Sequence, residues 1–239
     1  MTENHIVASF DRDLETMQAL IMKMGGMVER AIADAARSLE TRDEDLAEEV
    51  RRRDQEIDAL EEEINEEAAR VLAIRSPAAS DLRLVLTVIK ISASLERIGD
   101  YAKNIAKRTA VLATMTTVNG SPAALRRMAR EVEEMLRDVL DAYIQRDADV
   151  AAEVIRRDAD VDQMYNAIFR EFLTFMMEDA RNITPCMHLH FIAKNVERMG
   201  DLVTSVAEQV IYLVSGHMPE EPRPKGDTTS TDPSISPVS

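Results

Sequence analysis

The chain has 239 residues, a formal net charge of −15 and a pI near 4.8. So acidic a surface repels nucleic-acid phosphates and anionic lipid, which argues against DNA or RNA binding and against charge-driven membrane contact. Apolar residues make up 45% and aromatics 4%, with no Trp, 7 Gly and 8 Pro, a mixture that supports a globular all-α fold and supplies few strand formers.

The first periodic segment runs over about 6–39, where Ile6, Phe10, Leu14, Met17, Leu20, Ile21, Met24, Val28, Ile32 and Leu39 recur at helical spacing. A second covers about 43–74, with Leu46, Val50, Ile57, Leu60, Ile64 and Val71 on one face. Ser76–Pro77, Ser121–Pro122 and Thr184–Pro185 each read as a hydroxyl N-cap followed by proline at the first helical position. They predict helix starts near 77, 122 and 185. Six helices follow, at about 6–39, 43–74, 77–116, 122–144, 147–180 and 185–215, joined by short loops that make sequential helices antiparallel neighbours. The remaining five prolines lie in 219–237, and that segment reads as a disordered tail.

The two halves repeat. Residues 41–58 align without a gap to 145–162, and "LERIGD" at 95–100 is echoed by "VERMGD" at 196–201. The organisation expected is two tandem three-helix units, 1–119 and 120–216, followed by the tail 217–239.

Each unit carries two acid-x-x-x-acid pairs: Asp54/Asp58 with Glu96/Asp100, and Asp158/Asp162 with Glu197/Asp201. Residues four apart share a helix face. With 44 acidic residues in the chain, roughly eight such pairs arise by chance, so spacing alone is weak. These four pairs recur in the repeat, and the acids continue apolar stripes: Val50 and Ala47 precede Asp54, and Leu82, Val85 and Ile89 precede Glu96. In the first unit both pairs lie about 30 Å from the turn at Ser76–Pro77, at 1.5 Å per helical residue. The second unit agrees less well, because its pairs are equidistant from about residue 180, short of Thr184. Buried carboxylates gathered at a helix interface repel one another, and bound cations are the simplest relief. Oxygen donors suit Mg, Ca, Mn or Fe, with Zn also possible, and four acids per unit allow a multinuclear site. Gly99 and Gly200 each precede the second acid. An interior glycine costs a helix about 1 kcal/mol against Ala, so its use here points to a close approach, of either a helix or a metal cluster.

Other features have plainer readings. No nucleophile–base pair, phosphate loop or zinc motif is visible. Cys186 and His190 share a face and form either a packed core pair or extra metal ligands. The methionines, Met17, Met24, Met128, Met135 and Met176 among them, read as core filler more readily than as a partner groove. Arg52 and Arg53 recur at Arg156 and Arg157, either as a charged face or as neighbours of the acids. One cysteine permits no intrachain disulfide, and neither a signal peptide nor a membrane-length apolar run is present, so a cytoplasmic protein is expected.

"IDALEEEI" at 57–64, "RSPAASDLR" at 75–83, "LERIGDYAKNIAKR" at 95–108, "VERMGD" at 196–201 and "VIYLVSG" at 210–216 closely resemble the PhoU family over residues 6–216. The resemblance implies two three-helix bundles, multinuclear metal sites at the four acid pairs, and an accessory regulator that is not an enzyme. It implies partners in the phosphate ABC transporter and a phosphate-sensing histidine kinase, a homodimer, a membrane contact made only peripherally through partners, and restraint of the phosphate-starvation response. Leu202 and Ser205 stand where the family's second block usually carries His and Asn. The rival expectation is a carboxylate-bridged metalloenzyme acting on phosphate esters.

Overall fold

A computed structural model describes residues 2–115, 118 and 120–219, with side chains from residue 12 onward. Ile6, Phe10, the seam residue Asn119 and the tail beyond 219 lie outside the described side chains or residues. Six helices are present, α1 Thr2–Thr41, α2 Glu44–Arg75, α3 Ser80–Ala113, α4 Ser121–Gln145, α5 Ala148–Glu178 and α6 Ile183–Ser215, with a short 3-10 turn Ala180–Asn182 before α6. No strand occurs among the described residues. The fold is therefore the expected pair of three-helix bundles.

The helix starts depart from the hydroxyl–proline rule. Ser76 closes α2 in the left-handed region (φ 46) instead of opening α3, which begins at Ser80. The residue before a proline is disfavoured in helical conformation, so Ser76–Pro77 works as a stop. At the second site Gly120 (φ 83) takes the cap position, and Ser121 and Pro122 become the first residues of α4. At the third, Pro185 lies in the first turn of α6, which already begins at Ile183. The side chains that do cap are aspartates: Asp43 accepts from the Leu46 amide, and Asp147 from the amides of Asp149 and Val150. Each satisfies amides that the first helical turn leaves without partners.

The duplication extends into geometry. Asp43 and Asp147 are repeat mates 104 positions apart, and so are Arg42 (φ 55) and Arg146 (φ 58), which share a left-handed backbone before their caps. Arg53 of α2 reaches Asp34 of α1 at 3.1 Å, and Arg157 of α5 reaches Asp138 of α4 at 2.5 Å. The recurring arginines therefore tie the second helix of each unit to the first. Arg52 and Arg156 stay on the surface with Glu49 and Glu153. That resolves the two readings of these positions in favour of structural ion pairs.

Within each unit every helix packs on the other two. Between units, α1 packs on α4 and α3 on α6, while α2 and α5 lie on the outside. Arg126 pairs with Glu40 and Arg137 with Glu29 (3.5 Å), so α1 and α4 run antiparallel. Arg83 reaches Tyr212 and Arg108 reaches Phe191, so α3 and α6 do too. One continuous core results, with Met17, Met24, Met128 and Met135 fully buried in it. Apolar surface buried between the inner helices, at about 25 cal/mol per Å², favours joining the units. None of the described helices is long and apolar enough to cross a membrane.

Candidate acidic sites between paired helices

In the first unit α2 and α3 run antiparallel and bring Asp54, Asp58, Glu96 and Asp100 to one stretch of their interface. Gly99 permits the approach. A Cβ there would meet Ile57 Cδ1 at 3.2 Å and Asp54 Oδ1 at 3.7 Å. Asp54 is 4% exposed, while Asp58, Glu96 and Asp100 are half-buried. The stripe of apolar residues leading into Asp54 carries it inside, because a helix face that is buried one turn earlier is still buried at i+4.

Lys103 is the residue the acid pattern alone does not reveal. Its Nζ donates to Asp100 at 2.8 Å, one turn back on its own helix, and also to Asp54 across the interface. Both carboxylates raise the ammonium pKa above its ordinary value. Burial pushes Asp54 up, Asp58 and Asp100 add to that, and Lys103 opposes it. Glu96 is also pushed up, first by burial and then by Asp100, Glu61, Asp58 and Asp54. Glu61 thus belongs to the same field, a turn beyond Asp58.

The second unit is more deeply buried. Asp158, Asp162 and Glu197 are 2%, 5% and 6% exposed, with Asp201 half-buried. The α5–α6 turn is centred on the 3-10 segment Ala180–Asn182, because α6 starts two residues earlier than the proline suggests. That shift moves the turn toward the midpoint of the two pairs, which lies near residue 180. Here the ammonium is Lys194, which donates to Glu197 at 2.8 Å and lies 4.9 Å from the centre of the Tyr165 ring. Lys103 stands three residues after the second acid of its pair, and Lys194 three residues before the first acid of its own. The two units place a cation at opposite ends of equivalent acid pairs. Ser205 donates to the Asp201 carbonyl of its own helix, and Leu202 packs against the core.

Cys186 is fully buried, and His190 lies among aromatic rings, 5.2 Å from Phe169 and 6.1 Å from Tyr165 between centroids. These surroundings favour the packed core reading of the pair.

The donor set fits a hard divalent cation in kind, since each unit offers four carboxylates whose mutual repulsion a cation would relieve. Among the described residues, no three His, Cys, Asp or Glu side chains are placed to hold one ion as they stand. In the first unit the Lys103 ammonium supplies the positive charge between Asp54 and Asp100. A metal there would compete with that lysine.

The PhoU domain model matches residues 21–109 and again 125–210. A phosphate-specific transport system accessory protein PhoU homolog from Rhizobium meliloti is 43% identical over 235 residues, covering 97% of this chain and 98% of its own length. Its counterpart from Zymomonas mobilis subsp. mobilis is 46% identical over 222 residues, covering 92% and 93%. Among solved structures, PhoU from Pseudomonas aeruginosa matches with a TM-score of 0.84 at 39% identity, across 87% of this chain and all of that one. The phosphate transport system regulatory protein PhoU from Streptococcus pneumoniae matches at 0.81 and 26% identity, across 89% of this chain and all of that one.

Proposed function

We propose a regulatory role for this chain, which belongs to the PhoU family: it is an accessory protein of phosphate-specific transport that restrains the phosphate-starvation response and modulates high-affinity uptake. The observation that carries this reading is near full-length similarity, at 43% and 46% identity, to relatives named as accessory proteins of that transport system. The phosphate ABC transporter and a phosphate-sensing histidine kinase are the partners proposed, with a homodimer acting at the cytoplasmic side and meeting the membrane only through them.

The role is that of a binding adaptor and not of an enzyme. Relatives carry the name of a transport accessory protein, and no observation favours phosphate-ester chemistry. Metal binding is part of the proposal. Asp54, Asp58, Glu96 and Asp100 would hold ions in the first unit, and Asp158, Asp162, Glu197 and Asp201 in the second. Iron, manganese, zinc and magnesium are the candidates. Such ions would supply charge neutralisation that lets the paired helices keep their spacing.

Deleting the gene should derepress a phosphate-starvation reporter in high phosphate, and the wild-type chain supplied in trans should restore repression. Unchanged expression in the deletion strain would overturn the role. Metal content of the chain, purified without chelator or His-tag, tests the metal part separately: several equivalents per chain that fall in Glu96→Gln/Asp100→Asn support it, and background metal in both removes it.

A further inference from the structure

The α1–α4 pair is the place where the duplication meets itself, and its two ends are not alike. Repeat mates on α1 and α4 differ by 104 positions, and Arg126–Glu40 and Arg137–Glu29 lie on either side of the pair's midpoint. An exact two-fold would make both ends equal. At one end Leu140 of α4 fills the space over Gly25 of α1 so closely that a Cβ on Gly25 would overlap it. At the other end the mates of Leu140 and Gly25 are Ala36 and Ala129. Two methyl groups do not fill what a leucine fills, and an open cavity of about 130 Å³ remains, floored by Ala33, Ala36 and Ala129.

Its rim is basic. Arg37, Arg126 and Arg130 line it, whereas their repeat mates at the closed end are Asp141, Met22 and Gly26. Two carboxylates also line the cavity: Asp34 pairs with Arg37 on the rim at 3.0 Å and with Arg53 outside it at 3.1 Å, and Glu133 pairs with Arg137 outside it at 3.1 Å. Arg130 makes no ion pair among the described residues. Arg126 pairs with Glu40 with both side chains substantially exposed, where such a pair contributes little and exchanges readily for another anion. In a chain of net charge −15, a hollow lined by three arginines against two carboxylates is locally net positive. The space far exceeds the roughly 10–15 Å³ one water needs, and guanidinium forks match the paired oxygens of a tetrahedral oxyanion.

We infer that the α1–α4 cleft binds a tetrahedral oxyanion of the phosphate class through Arg37, Arg126 and Arg130. The cleft stands on its own geometry; choosing inorganic phosphate as the ligand rests on the regulatory reading above. The ion would bridge the two units at their junction, which couples its binding to the way α1 and α4 sit together.

The test is calorimetric titration of the full chain with inorganic phosphate, in phosphate-free buffer at fixed ionic strength. Saturable binding is expected, weakened at least about tenfold in Arg126→Gln/Arg130→Gln, whose side chains are solvent-facing enough to leave the fold intact. Ala36→Leu keeps every charge and fills the hollow as Leu140 fills the other end, so it should abolish binding, with a thermal melt verifying that the variant folds. Arg156→Gln, on the outside of α5, should bind like wild type. No saturable binding up to about 10 mM phosphate, or equal binding by the double variant, would overturn the site. Flotation with phosphatidylglycerol vesicles separates the sources of the phosphate group: vesicle binding that needs Arg126 and Arg130, without any response to free phosphate, overturns the free-ion proposal. A chain that restores repression in the deletion strain but binds no phosphate overturns the site and leaves the regulatory role standing.

Discussion

A Cβ placed on Gly200 would lie 3.0 Å from Oδ1 of Asp158 on the facing helix. The same carbon on Gly99 would meet the Ile57 side chain, Cδ1 at 3.2 Å and Cγ2 at 3.4 Å, with Asp54 Oδ1 farther off at 3.7 Å. Both glycines forgo about 1 kcal/mol of helix propensity, but they do so against different neighbours. Gly99→Ala should recover that propensity at the cost of a small Ile57 adjustment and leave stability within about 0.5 kcal/mol of wild type. Gly200→Ala must displace a buried carboxylate and should lower stability by about 1 kcal/mol or more. Urea unfolding of the two variants, with chelator present, measures the contrast; equal effects would mean that helix approach does not explain Gly200.

Lys103 joins Asp54 on α2 to Asp100 on α3. Replacing it by Met leaves Asp54, 4% exposed, without this cation. A buried carboxylate deprived of its partner costs about 1–3 kcal/mol, so Lys103→Met should be clearly destabilised in EDTA. The same change frees oxygens for a divalent ion, and manganese titration followed by electron paramagnetic resonance should show tighter binding than in wild type. Loss of stability with no gain in manganese affinity would give Lys103 a structural role and place the metal, if any, elsewhere.

The four acid pairs were legible because helical spacing, repetition and apolar stripes all pointed to the same residues. Asp54 and Asp158 are buried for the reason the stripe implies. Lys103 and Lys194 were harder to find. Each sits three residues from an acid on its own helix, which reads as an ordinary surface pair, and only the facing helix shows that Lys103 also reaches Asp54. Proline marked two first turns correctly, at Pro122 and Pro185. It failed at Pro77, where Ser76 takes a left-handed closing conformation that no local pattern distinguishes from a cap. The contact of α1 with α4 was not legible at all, since Gly25 against Leu140 is a pairing set by how the two units dock and not by the periodicity of either helix.

Glu96 gives a pH dependence whose sign is fixed by its surroundings. Burial, followed by Asp100, Glu61, Asp58 and Asp54, raises its folded pKa above the unfolded value. The native state therefore holds this proton more tightly than the unfolded chain does. Stability attributable to Glu96 is lowest above the folded pKa, rises as pH falls through it, and levels off below the unfolded value of roughly 4.3. In EDTA, Glu96→Gln should be more stable than wild type at pH 7, and that advantage should shrink as the pH approaches 4.5. With manganese added the order at pH 7 should reverse on the proposed metal reading, because the variant would lack one of the proposed ligands. Paired urea titrations at both pH values provide the check, and a variant less stable than wild type in EDTA at pH 7 would contradict the raised carboxyl.

Cys186 separates core packing from metal ligation at the start of α6. Its side chain is fully buried, and its thiol pKa is raised, first by burial and then by Glu171. A raised pKa leaves little thiolate, and burial blocks access, so the native chain should resist iodoacetamide at pH 8 and react fully in urea. Native labelling should then follow opening of the second unit and slow in step with any change that stabilises it. Cys186→Ala removes one sulfur from a packed interior and should cost about 1 kcal/mol, without changing the metal content of the purified chain. Cys186→Ser should cost more, because its hydroxyl would need a hydrogen-bond partner in the same apolar space. Loss of metal in Cys186→Ala, at unchanged thermal midpoint, would instead make Cys186 a ligand and return His190 to candidacy beside it.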